Sequence, residues 1–208
     1  MGRIRCVQIT RGLAPALSIA STVSACARRK IDYKLIVGVP AAEAKQQAAQ
    51  TAFEAGQDLL LVEDDILAND EIWNKVTQND SDVMLGSCLM KNGELNVWFH
   101  GPRVVYSGTV FLKVPWAVLG KIGDPWFLPR DLGFTSDDGG VWWDKGPNDE
   151  GKHSDTWFYY RCWQENIHPI VAGFVLHGLH AFNNKDCDLV NATFVKWLGV
   201  MTCSKVTI

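Results

Sequence analysis

Three groups of residues in this chain have the types and spacing to do chemistry. The first is Glu63-Asp64-Asp65, which follows the apolar run Asp58 to Val62 (DLLLV). Three adjacent acids repel one another unless a cation or water solvates them. Hard divalent ions such as Mg²⁺ and Mn²⁺ take carboxylate oxygens and bridge to phosphates. The triplet also reads as a solvated acidic turn capping a helix that begins near Asp70. The second group is Ser154-Asp155, ahead of the aromatic stretch WFYYRCW. Either residue serves as an N-cap for orphan backbone N–H groups. Asp155 also suits a general base, because aromatic walls desolvate a carboxylate and raise its pKa. The third is His177-Gly178-Leu179-His180, at the exit of the strand-like run IVAGFVL. Histidine is a common metal ligand, and histidine combined with carboxylates favours Mn²⁺ over Mg²⁺.

The elements that must position these groups alternate between strand and helix. Arg5 to Ile9 is a first strand, Leu17 to Arg29 a helix, and Lys34 to Val39 a second strand ended by Pro40. Ala41 to Ala55 is rich in strong helix formers and is stopped by Gly56. Asp58 to Val62 is a buried-type strand running straight into the acidic triplet. A short helix over Asp70 to Thr77 and a strand over Asp82 to Leu89 follow. This order predicts a mostly parallel sheet with helices on its faces, and ligands in such sheets bind beyond the carboxyl ends of the strands. In the second half, Val104 to Val114 reads as a strand and Trp116 to Ile122 as a helical turn closed by Gly123. Leu128 to Lys152 reads as a long irregular loop, which its Phe134, Val141, Trp142 and Trp143 mark as ordered or lid-like. Asp155 to Glu165 is a helix and Ile170 to Leu176 a last buried strand.

Composition narrows the function classes. The chain has 208 residues, 47% hydrophobic and 21% charged, which excludes a disordered or fibrous protein. A net charge of −3 argues against a partner held mainly by phosphate neutralisation, so no nucleic acid is required. Gln8, Thr10, Arg11 and Gly12 interrupt the N-terminal apolar stretch, so no signal peptide is expected. No apolar run approaches the roughly 18 residues of a membrane span. The six cysteines form no C-x-x-C pair and are expected to be reduced, as in a cytoplasmic protein. Nine tryptophans stand out, with Trp98, Trp116, Trp126, Trp142, Trp143, Trp157 and Trp163 in one stretch. Indole faces stack on sugar rings while Nε1–H donates to hydroxyls, although core packing uses the same residues.

In this order and spacing, the groups resemble a small GT-A-fold glycosyltransferase, similar to the family-2-like nucleotide-sugar enzymes of bacteria and phages. The resemblance runs from about Ile36 to His180. Members carry an Asp-x-Asp motif after a buried strand, and Glu63-Asp64-Asp65 stands in its place, with Glu63 for the usual first Asp. It implies Asp65 as the metal-binding acid, Glu63 facing the ribose or the metal-bound waters, and Asp64 among the donor-binding residues. Lys45 and Gln46 stand where an Arg-Asn pair touches the nucleotide. Thr10 ends the first strand, where the family seats the base. The stretches Tyr106-Ser107-Gly108-Thr109-Val110-Phe111-Leu112, Val114-Pro115-Trp116 and Pro125-Trp126-Phe127 match the family's Gly-containing strand, helix and Pro-Trp-Phe. Ser154-Asp155 matches its Glu-Asp pair, with only the second acid retained, and His177 or His180 its strand-ending histidine.

The resemblance implies a single GT-A-like domain over 1–208, a three-layer α/β/α sandwich with a central, mostly parallel, mixed sheet. Residues 1–89 form a nucleotide-sugar half, 90–182 an acceptor-facing half and 183–208 a C-terminal tail. It implies Mn²⁺ or Mg²⁺ held by Asp65 with His177 or His180, a UDP- or GDP-sugar donor, and a saccharide or other hydroxyl acceptor. Gly108 would let the backbone approach the sugar or acceptor. Asp155 would take the acceptor's proton in an inverting reaction or position the acceptor in a retaining one, and Trp142, Trp143 and Trp157 would contact the acceptor or form a lid. Two rival classes remain: a nucleotidyltransferase-like enzyme, and a non-catalytic carbohydrate-binding or nucleotide-sugar-binding protein.

Overall fold

The computed structural model describes residues 3–10, 12, 16–89, 95–128, 133–137, 140–144 and 154–177. Its first half follows the expected alternation. Strand β1 (Ile4–Thr10) leads to helix α1 (Ala16–Arg29), β2 (Asp32–Val37), α2 (Ala41–Glu54), β3 (Asp58–Glu63), α3 (Asp70–Gln78) and β4 (Met84–Ser87). Local chemistry sets the boundaries. Helix α2 has Pro40 at its N-cap, and its chain reverses at Gly56, whose φ of +65° an L side chain rarely adopts. Asn69 caps α3 by accepting a hydrogen bond from Ile72 N at 3.0 Å.

The second half adds β5 (Val97–His100), β6 (Arg103–Ser107), β7 (Phe111–Val114), α4 (Trp116–Ile122), β8 (Gly133–Asp137), β9 (Gly140–Asp144), α5 (Ser154–Gln164) and β10 (Ile170–Phe174). Two expectations need correction. The apolar run Val104 to Val114 is not one strand, because Gly108, Thr109 and Val110 break it. Its first part, β6, pairs with β5 in a separate hairpin, whereas β7 enters the main sheet. The stretch expected to be irregular contains β8 and β9, an antiparallel pair in which Trp143 stands opposite Phe134 and Trp142 opposite Thr135.

The main sheet has the order β10-β4-β7-β3-β1-β2. Strand β1 is parallel to β2 and β3, β10 is parallel to β4, and β7 is antiparallel to both neighbours. Side chains of β3 alternate between two cores, as strand geometry requires. Leu59 and Leu61 pack with α2, α4, α5 and the β5–β6 hairpin, while Leu60 and Val62 pack with α1 and α3. Each of these fully buried side chains contributes about 1.5–3 kcal/mol. Alanines 44, 48, 49 and 52 bring α2 close to the sheet. The result is the expected three-layer α/β/α arrangement with a mostly parallel, mixed sheet.

Candidate functional site

Strand β1 sends its connection to β2 on one side, and β3 sends its own toward β4 on the other. A crevice opens at the carboxyl ends of strands where such connections diverge. The acidic triplet lies there, because Glu63 is the last residue of β3. Two buried side chains hold its backbone. Gln8 Nε2 donates to Glu63 O at 3.4 Å and to Ser18 Oγ at 3.0 Å, and Ser18 Oγ donates to Ile66 O at 2.8 Å. Tyr33 completes the network by donating to Gln8 Oε1 at 2.9 Å.

A second device brings His177 to this turn. Leu67 and Leu176 exchange backbone hydrogen bonds at 2.9 Å in each direction, and Val175 N donates to Ser87 O at 2.8 Å. The segment after β10 is thereby tied to both the acidic turn and the end of β4. His177 Nε2 lies 3.6 Å from Asp65 Oδ1 and 4.0 Å from Glu63 Oε2. One donor atom from each of Glu63, Asp65 and His177 falls within 4.8 Å of the others. Ligands bound at 2.0–2.6 Å to a single ion stand at most about 5 Å apart, so the spacing fits one ion. Two carboxylates and an imidazole also suit a metal such as Mn²⁺. Asp64 is half-buried in the same turn, and His180 lies outside the described residues. The Cys88 thiol is pushed up to about 12, first by burial and then by the charges of Glu63 and Asp65.

Beside this cluster lies a buried ionic network. Lys45, from the early part of α2, places Nζ 2.8 Å from Asp155 Oδ1 and 3.4 Å from Glu63 Oε1. Asp155 Oδ1 also accepts from Thr109 Oγ1 at 2.7 Å and Ser154 Oγ at 3.3 Å. Its Oδ2 accepts from Thr109 N at 3.2 Å. Burial pushes the Asp155 carboxyl up, but the Lys45 charge and the Lys45 and Thr109 hydrogen bonds outweigh it and hold the pKa below the usual value. The desolvation expected from the sequence is therefore present, and its effect on the pKa is reversed. Burial alone would lower Lys45, yet Asp155 and Glu63 together raise it. Tyr106 and Tyr159 are both pushed up, first by burial and then by the Asp155 charge.

The other expected site residues have definite places. Thr10 is buried at the end of β1, where its Oγ1 accepts from Gly12 N at 3.1 Å. The Gln46 side chain holds the turn after α4, accepting from Trp126 N and Phe127 N at 2.9 Å each and donating to Asp124 Oδ1 at 2.5 Å. Trp157 Nε1 donates to Pro125 O at 2.7 Å in the same turn. A Cβ on Gly108 would stand 3.3 Å from Asn96 Nδ2, so the missing side chain makes room for that amide. Trp142 and Trp143 lie on β9, and their side chains fall outside the described residues. Thr109, Gln8 and Ser18 are site-building residues that sequence reasoning did not single out. The indoles near α4 behave differently from one another: Trp126 is buried, whereas Trp116 stacks on Phe53 with centroids 5.9 Å apart and stays exposed.

Comparison with known proteins adds to the fold. No family model matches the sequence, and no curated protein matches it either. Among solved structures, the chain is similar to A197 from STIV, with 15% identity over 83% of each chain and a TM-score of 0.57. A second similarity is to a glycosyltransferase involved in the glycosylation of the major capsid of PBCV-1. That one has 13% identity over 81% of each chain and a TM-score of 0.43. The likeness to A197 is one of fold. Fold and site together define a mixed α/β protein with an acid-and-histidine cluster at the carboxyl ends of its parallel strands. No helix among the described residues is long and apolar enough to cross a membrane.

Proposed function

We propose that the chain is a metal-dependent glycosyltransferase that moves a sugar from a nucleotide-diphosphate donor, a UDP- or GDP-sugar, to an acceptor hydroxyl. The observation that carries this reading is the cluster of Glu63, Asp65 and His177 at the crevice beyond β3. Asp65 and His177 would hold Mn²⁺ or Mg²⁺ together with Glu63. The ion, when bound, supplies Lewis-acid stabilisation of charge on the departing nucleotide diphosphate. Asp155 is the candidate base. Lys45 and Thr109 keep it ionised and fix its orientation. Its Oδ2 accepts from the Thr109 amide and keeps lone-pair capacity for an acceptor hydroxyl.

Strand β9 brings Trp142 and Trp143 to one hairpin, and we assign the saccharide acceptor to that hairpin and Trp157. The division into a donor half up to Leu89 and an acceptor half after it belongs to the same reading, within one domain. A reducing, cytoplasmic setting is supported by Cys6, Cys26, Cys88 and Cys162, which are all free and buried.

The test is incubation of the purified chain with Mn²⁺ and a panel of UDP-, GDP-, CDP- and dTDP-sugars. Release of nucleoside diphosphate supports transfer. Release of pyrophosphate would indicate nucleotidyl transfer, and sugar binding without turnover a binding protein. Asp65→Ala is expected to abolish metal-dependent donor binding, and full activity in that variant would show the site to be misassigned.

A further inference from the structure

The two oxygens of Glu63 face different charges. Oε1 lies 3.4 Å from Lys45 Nζ, while Oε2 lies 4.0 Å from His177 Nε2, in the candidate metal cluster. On its other side the same ammonium contacts Asp155 Oδ1 at 2.8 Å. Lys45 is 4% exposed, so water screens little of its charge. We propose that Lys45 is a built-in counter-ion that holds down the metal affinity of the Glu63–Asp65–His177 centre and couples its occupancy to Asp155. This rests on the metal reading above and concerns a residue expected from the sequence to touch nucleotide.

The argument is electrostatic. A divalent ion drawn to Glu63 Oε2 approaches a carboxylate whose other oxygen already neighbours a positive charge. The ammonium both competes for the Glu63 charge and repels the ion. It donates to Asp155 Oδ1 and forms an ion pair with Glu63 Oε1, so its position is set by the protein. Asp155 moderates the effect by drawing the ammonium toward α5, and Thr109 fixes Asp155 for that purpose. Neutralising Asp155 leaves Lys45 with Glu63 as its remaining carboxylate partner among the described contacts. The metal centre and the candidate base thereby share one cation. Binding at one side alters the charge balance at the other.

The experiment is a Mn²⁺ titration of the full chain by electron paramagnetic resonance, with the fold of each variant checked by circular dichroism. Lys45→Met is expected to bind Mn²⁺ about tenfold more tightly than the wild type, a modest factor for removing a unit charge this near a divalent ion. Lys45→Arg keeps the charge and is expected to stay near the wild type. Asp155→Asn is expected to weaken binding several-fold. The Lys45→Met, Asp155→Asn double variant avoids orphaning the buried Asp155 carboxylate, and is expected to bind about tenfold more tightly than Asp155→Asn alone. A purely structural lysine would not produce tighter binding on removal. Equal or weaker binding in either methionine variant, relative to its parent, overturns the proposal. So does loss of UDP or GDP binding with Mn²⁺ affinity unchanged, which would mark a nucleotide contact. If Asp65→Ala abolishes Mn²⁺ binding while the methionine variants fail to tighten it, only the counter-ion role falls. If the wild type shows no Mn²⁺ binding that Asp65→Ala removes, the metal reading falls and this proposal with it.

Discussion

Thr109→Val isolates the contact that orients Asp155. Thr109 is fully buried, and valine reproduces its shape without the hydroxyl. The substitution deletes the 2.7 Å bond to Asp155 Oδ1 and leaves the backbone bond to Oδ2 in place. Hydrogen bonds to charged groups contribute about 1.5–3 kcal/mol. Because Oδ1 keeps Lys45 at 2.8 Å and Ser154 at 3.3 Å, the loss should fall in the lower part of that range. We therefore expect about 2 kcal/mol of destabilisation at pH 7, equivalent to roughly 4–8 °C in Tm for a chain of this size.

The pH dependence gives a second, independent reading. Asp155 has a folded-state pKa below its unfolded value, so its ionised form contributes stability above the unfolded pKa of about 3.9. That contribution is lost as pH falls through the folded value. Removing Thr109 Oγ1 removes one of the lowering causes, so the folded pKa of Asp155 rises in the variant. The stability gap between wild type and Thr109→Val should be constant near neutrality and narrow in acid, as pH falls through the folded-state values of Asp155 in the two proteins. Urea unfolding at a series of pH values measures both quantities. A gap under about 0.5 kcal/mol at pH 7, the ordinary scatter of a neutral surface change, would refute the reasoning. A gap that persists at a pH low enough to protonate Asp155 in both folded proteins would show that the hydroxyl does not bond the ionised carboxylate.

Two further substitutions test the scaffold around the site. Lys113 is fully buried, with Nζ 3.0 Å from Asp58 Oδ2 and a further hydrogen bond to Asn79 O, while Asp58 Oδ1 accepts from Trp116 N at 2.8 Å. Lys113→Met should cost about 3–5 kcal/mol by guanidinium denaturation, and adding Asp58→Asn should recover part of it. A Cβ on Gly86 would stand 2.6 Å from Val175 Cγ1 and 3.1 Å from Phe111 Cβ. Gly86→Ala should therefore destabilise by about 1–3 kcal/mol. It should also weaken Mn²⁺ binding in the same titration, since Val175 leads directly to His177.

The parts of the site legible in the sequence are those set by local patterns. DLLLV announces a buried strand, so the acids after it had to sit at a strand's carboxyl end. Asp155 opens a helix, and His177 leaves a strand. What escaped was pairing across the chain. Lys45 and Asp155 are 110 residues apart, and no periodicity in α2 distinguishes a lysine aimed at a carboxylate from one aimed at a nucleotide. Gln8 and Ser18 look like ordinary polar residues until the fold places them under the acidic turn. Asp58 reads as the first residue of an apolar run, yet it caps α4 and neutralises Lys113. The Gly-Thr-Val break after β6 was hidden in a continuous apolar stretch, because strand propensity reports burial and not which sheet a strand joins.

Topology explains why these distant residues meet. A helix that follows a parallel strand starts at that strand's carboxyl edge, so the beginning of α2 lies at the edge where β3 ends. Helix α5 leads into β10, which runs parallel to β4, so α5 begins at that edge too. Lys45 and Asp155 both lie near these helix starts, beside Glu63. Strand β7 completes the arrangement because it runs the other way, with Phe111 opposite Val62 and Val114 opposite Leu59. Its first residues are therefore at the edge that carries the candidate site, and Thr109 reaches Asp155 from just before it. Its last residues are at the far edge, where Lys113 meets Asp58. Were β7 parallel to β3, Thr109 would enter the sheet at the opposite edge and Asp155 would lose both of its Thr109 donors. The one inverted strand among the described residues of the main sheet thus supplies the candidate base with its orientation and the opposite edge with its buried ion pair.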